Sequence, residues 1–194
     1  MQVQQSRSPA RPHLPGEVGV WVFILGDMMV FALFFVTFIY YRAQDVELFV
    51  ASQAMLDQNR GALNTLLLLA SSWFVVLGVH ALHQHLNRLA PRLFGLALLC
   101  GLGFVVVKFF EYREKLRHGV TPATNDFFMY YFIFSGIHLL HVLIGIGVLA
   151  FMVRHLRKHA ATAPNMVLIE SGASYWHLVD LLWIVLFPLF YLIK

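Results

Sequence analysis

Seven ionisable side chains lie inside long apolar stretches of this chain: Asp27, Lys108, Glu111, His138, His141, His177 and Asp180. A charge in the hydrocarbon of a bilayer costs several kcal/mol, so each such group needs a partner or a purpose. Carboxylates beside imidazoles can exchange protons. His138 and His141 are three positions apart on one helix face, as are His177 and Asp180. With a rise of about 1.5 Å per residue and a cytoplasmic N-terminus, Asp27 lies about 13 Å from the inner boundary. His138 reaches the same depth, His141 about 9 Å and Asp180 about 10 Å. These depths pair Asp27 with His138 and Asp180 with His141, in a network joining the first, fourth and fifth spans. Such pairs either lock helices together, at about 0.6–2 kcal/mol each, or take part in proton movement.

Lys108 and Glu111 are three apart near the outer end of the third span, and Glu111 and Lys115 are four apart. A local ion pair or a lipid-headgroup contact accounts for them. His138 and His141 have the spacing of a shared metal site, yet no third and fourth ligand stands at a suitable distance. No metal or haem is expected on this chain. His80, His83 and His85 fall at a helix end and its loop. Nothing resembles a nucleophile elbow, a phosphate loop or a metalloprotease helix, so the chain shows no active site of its own.

The elements that position these groups are set by composition. Of 194 residues 59% are hydrophobic and 12% charged, about half the charge of an ordinary globular domain. Five stretches, about 18–41, 62–82, 92–112, 127–153 and 173–193, are each long enough to cross roughly 30 Å of hydrocarbon. Backbone groups cannot go unpaired in lipid, so each must be helical. The expected fold is an all-α integral membrane bundle of five transmembrane helices, preceded by a polar tail, 1–17, that reads as disordered. Pro188 should kink the last span. Ala97, Gly101, Gly136, Gly145 and Gly147 permit close helix approach. Trp176, Trp183 and Tyr191 suit interfacial belts or helix packing.

The net charge of +4 is dispersed, with no basic stripe of the kind that binds nucleic acid. A cytoplasmic N-terminus puts Arg7, Arg11, Arg88, Arg92, Arg154, Arg157 and Lys158 inside, against Arg42, Arg60, Arg113, Lys115, Arg117 and Lys194 outside. Cys100, the single cysteine, excludes an internal disulfide. No internal repeat supports a repeated transporter architecture.

Three blocks resemble subunit III of the haem–copper oxidases. They are GEVGVWVFILGDMMVFALFF at 16–35, the stretch 109–149 with Glu111, Tyr112, Gly136, His138, His141, Val142 and Gly145, and ESGASYWHLVDLLWIVLFPLFYLI at 170–193 with Tyr175, Trp176, His177, Val179, Asp180 and Trp183. Asp27 stands where that family usually has Glu, and Ser135 where it often has Thr. Five spans instead of seven, the aspartate and the polar tail look more like the five-helix relatives associated with bacterial nitric oxide reductase. The resemblance implies a non-catalytic accessory subunit in a bacterial inner membrane. Its partner is a catalytic subunit holding haem and metal, and it is expected to bind structural phospholipid and support assembly and proton supply. Asp27 then corresponds to the carboxylate that modulates proton supply, and His138, His141, His177 and Asp180 to polar residues of the bundle. The rival is a stand-alone small transporter or assembly factor.

Overall fold

The computed structural model describes residues 16–158 and 165–193, so most of the polar tail lies outside the described residues. Six helices follow one another: α1 Val18–Gln44, α2 Val46–Gln53, α3 Gln58–His83, α4 Ala90–Arg117, α5 Asp126–Lys158 and α6 Met166–Tyr191. All but α2 are long and apolar enough to cross a membrane, and no strand occurs among the described residues.

The helices start where the chain supplies acceptors for their free N–H groups. Asp57 accepts from the N–H groups of Asn59 and Arg60, Asn125 from Phe128, and Asp45 from Leu48. The Asp45 cap opens α2, a short helix absent from the sequence reading. α4 closes on Gly119, whose φ of 73° is open to glycine; Val120 N–H donates to the Lys115 carbonyl there. Pro188 lies in the last turn of α6, which runs on to Tyr191. It therefore weakens the helix end rather than the middle of the span.

α3, α4, α5 and α6 form a ring in which each packs on the next and α6 closes back on α3. α1 lies outside that ring, in the groove between α5 and α6. Burial follows this order: 56% of the apolar window of α6 is buried but only 17% of that of α1. α6 thus serves as the central post. Its Trp176 indole occupies the space left by two glycines, since a methyl group on Gly145 would stand 2.6 Å from that ring and one on Gly101 2.8 Å. Gly136 and Gly147 meet nothing within 4 Å, so close approach does not account for them. Trp176 and Trp183, each 1% exposed, are core residues and not belt residues. Toward the α2 side, Phe38 packs edge-on to Phe49 and Phe190 at 5.4 and 5.3 Å, so α2 caps the bundle there.

Candidate functional site

Asp27 pairs with His141, not with His138. Its Oδ1 lies 3.2 Å from His141 Nε2, with both side chains about seven-eighths buried. The helix ends explain the difference. Asp27 is seventeen residues from the end of α1, and His141 fifteen residues into α5. Measured from that common side, the two agree to about 3 Å. Depths taken from opposite ends of spans longer than 30 Å carry an error of one turn, which is the spacing between the two histidines.

The other ring nitrogen fixes the chemistry of this pair. His141 Nδ1 lies 2.8 Å from the Ile137 carbonyl, which can only accept, so Nδ1 carries a proton. A proton shared across the Nε2–Oδ1 contact would sit either on the ring, facing a carboxylate, or on Asp27, facing a neutral ring; both arrangements are neutral overall, which lipid tolerates. Asp27 Oδ2 is buried without a hydrogen-bond partner. Tyr175 Oη donates to the His141 carbonyl at 3.3 Å, bringing α6 to the junction of α1 and α5.

His138 points elsewhere. It is fully buried in the ring, stacked on Trp183 at 5.2 Å and edge-on to Phe104 at 5.6 Å, with neither nitrogen hydrogen-bonded. Asp180 does not reach His141 either. It lies on the α3 side of α6, 6% exposed, hydrogen-bonded to Ser72 and with Oδ1 left unpartnered. One turn earlier, His177 Nδ1 lies 2.6 Å from Ser72 Oγ on α3. The expected single network is therefore three separate groups: Asp27 with His141, His177 and Asp180 about Ser72, and a His138 without a hydrogen bond.

Lys108 and Glu111 do form an ion pair, Nζ to Oε2 at 3.0 Å, but each is only 1% exposed. Headgroup contact is thereby excluded. Lys108 Nζ also donates to the hydroxyls of Tyr131 and Tyr191 at 3.3 and 3.1 Å. Those hydroxyls in turn donate to Glu111 Oε1 at 2.7 and 2.5 Å. Nζ further sits 4.8 Å from the Trp183 ring centre. This cage draws on α4, α5 and α6. The tyrosines were not visible as its members in sequence, since four or more helical turns separate them from their partners. Lys115 does not serve Glu111; its ammonium donates to the Met55 carbonyl at 3.0 Å.

On the N-terminal side, α1 parts from α5 and α6 and leaves an apolar cleft of about 610 Å³. Phe23, Ile144, Phe151, Leu168 and Tyr175 are among its walls. A second hollow, containing Arg154 and Lys158, shares Gly147 and Phe151 with it. Among the described residues no group of three or more His, Cys, Asp or Glu is placed to hold a metal ion.

Five apolar helices with a sealed ion pair and a carboxylate–imidazole pair define a multi-pass membrane subunit whose polar chemistry is internal. The family model described as cytochrome c oxidase subunit III matches residues 15–194, and the chain belongs to that family. It is 28% identical over 184 residues to a probable cytochrome c oxidase subunit 3 of Mycobacterium tuberculosis (strain ATCC 25618 / H37Rv), covering 95% of this chain and 90% of that one. It is 27% identical over 175 residues to quinol oxidase subunit 3 of Bacillus subtilis (strain 168), covering 90% and 85%. It is 27% identical over 181 residues to cytochrome bo(3) ubiquinol oxidase subunit 3 of Pseudomonas putida, covering 91% and 84%. These relatives make the chain a subunit III of the haem–copper respiratory oxidases, associated with catalytic oxidase subunits in a membrane complex.

Proposed function

We propose that this chain is a non-catalytic accessory subunit that supports proton supply, lipid binding and assembly of a haem–copper oxidase in a bacterial membrane. The observation that carries the proposal is the Asp27–His141 pair. It places a carboxylate against an imidazole about 14 Å along α1 from Val18, two groups between which a proton can pass. Either partner can carry that proton without placing net charge in lipid. The pair suits a relay or buffer beside a proton-consuming neighbour.

The apolar cleft and the adjoining Arg154 and Lys158 suit one phospholipid. Acyl chains would line Phe23 and Phe151, and the headgroup phosphate would meet the cations. The N-terminal side is assigned to the cytoplasm because it carries the larger share of Lys and Arg. Oxygen reduction by the partner is favoured over nitric oxide reduction. The relatives named as oxidases are covered over 84–90% of their own length. Shortness therefore does not mark the nitric oxide branch, and Asp27 and the polar tail remain for it.

The test is turnover of the purified complex carrying Asp27→Asn, followed from about pH 6 to pH 9. Asparagine keeps a hydrogen bond to His141 but cannot exchange the proton. Assembly should persist, and turnover should fall below the parent increasingly as pH rises and free protons become scarce. Identical profiles for parent and variant would remove the proton role.

A further inference from the structure

Where α3 begins and α4 ends, most of the described Lys and Arg side chains are already engaged. Arg42 donates to the Ile193 carbonyl, Lys115 to the Met55 carbonyl, and Arg60 pairs with Asp57 and Glu114. Arg113 and Arg117 are different. Both are exposed, and neither makes a hydrogen bond or ion pair with a described residue. They stand four apart on one face of α4, where like charges repel. On the assigned orientation this is also the outer side, where Lys and Arg are ordinarily scarce.

Both arginines border a groove of about 780 Å³ between α3 and α4. Arg60 shares its rim, while Leu63, Val107 and Phe110 supply an apolar wall. Val107 lies ten residues before Arg117, about 15 Å deeper along α4. That is about half of the 30 Å of hydrocarbon in a bilayer, the depth of one leaflet. The groove thus carries positive charge at its mouth and apolar surface through one layer of acyl chains. Phe110 is 55% exposed and Leu63 47%, so the wall is open to a further apolar group.

We propose that this groove holds one anionic phospholipid of the phosphatidylglycerol type, its phosphodiester between Arg113 and Arg117 and one acyl chain along Leu63, Val107 and Phe110. Guanidinium groups present paired N–H donors that match phosphate oxygens. A choline or ethanolamine headgroup would bring a further cation to a rim that already holds three guanidiniums. Free phosphate would use the rim and leave the wall bare, whereas a lipid uses both. The site lies at the opposite ends of the spans from the cleft beside α1, and it stands whether or not the accessory-subunit reading does.

The experiment supplies membranes carrying the tagged full chain, in its native complex, with phosphatidylglycerol bearing a diazirine in one acyl chain. The membranes are irradiated, and the chain is isolated and digested. Adducts at Leu63 or within 107–110 are the expected result, with far fewer from phosphatidylcholine bearing the same acyl chain. Arg113→Gln combined with Arg117→Gln should lower the phosphatidylglycerol adducts there about twentyfold. Adducts in the cleft beside α1 should stay as they are and serve as the control for folding. Equal labelling of the groove by the two lipids overturns the choice of an anionic headgroup. Adducts confined to the cleft beside α1, or an undiminished yield in the double variant, overturn the site. So does loss of the groove adducts when inorganic phosphate alone is added, which would mark an anion site and not a lipid site. If the double variant fails to fold, the comparison of the two lipids on the unaltered chain decides.

Discussion

Tyr191 Oη donates to Glu111 Oε1 at 2.5 Å, tying the last turn of α6 to a fully buried carboxylate on α4. Tyr131 makes the matching bond from α5. The ammonium of Lys108 donates to both hydroxyls and is ion-paired with the carboxylate at 3.0 Å. Buried ion pairs do not by themselves stabilise a protein, but breaking one leaves a charge stranded. Lys108→Met should destabilise the chain by about 3–5 kcal/mol. The double variant Lys108→Met with Glu111→Gln should recover most of that loss. Denaturation of the isolated chain in mild detergent, followed by tryptophan fluorescence, measures both. Equal losses in the single and double variants would show that the charge pair is not the cause.

Trp176 gives a second prediction. Gly145→Ala places a methyl group 2.6 Å from an indole that is 1% exposed and cannot swing away. Overpacking of this kind costs about 1–3 kcal/mol. Gly136→Ala meets nothing within 4 Å and should be neutral or slightly stabilising through better helix propensity. The same denaturation assay ranks the two. A harmless Gly145→Ala would mean that α5 and α6 can separate at that level without loss.

The lipid cleft gives a third. Gly147 belongs to its wall and has free space before it. Gly147→Phe should fill part of the cleft and lower the phospholipid phosphorus retained per chain by about one, from one site occupied to none. Arg154→Gln should lower it as well, by removing the headgroup cation beside the cleft. Unchanged phosphorus in both variants would locate bound lipid elsewhere.

Arg60 supplies a contrast. It is paired with Glu114 and Asp57, but all three side chains are about a third exposed or more. Exposed pairs contribute about 0–1 kcal/mol. Arg60→Ala should therefore change the denaturation midpoint far less than Lys108→Met does. Comparable losses would put Arg60 in a drier setting than its exposure indicates.

Sequence made the membrane helices legible because an apolar run of span length has one physical solution in lipid. It also singled out all seven intramembrane ionisable residues, since each breaks such a run. What it could not supply was direction around the helix axis. His138 and His141 sit about 60° apart on α5, enough for one to face Trp183 inside the ring and the other to face α1. The partners in the Lys108 cage were hidden for another reason. Tyr131 and Tyr191 carry no charge and sit in aromatic-rich segments, where a hydroxyl that spans an ion pair reads like any other ring. α2 was missed because eight residues are too few to register as a span, although Asp45 marks its start.

The placement of α1 has a consequence for how the chain is made. A helix outside the ring, emerging from the ribosome before α3 to α6, enters the bilayer before the helices of this chain on which it packs. At about 5–20 residues per second, Asp27 waits on the order of ten seconds for His141 to be synthesised. Through that interval the strong hydropathy of α1 must keep it in place alone. Asp27 meets its imidazole only when α5 arrives.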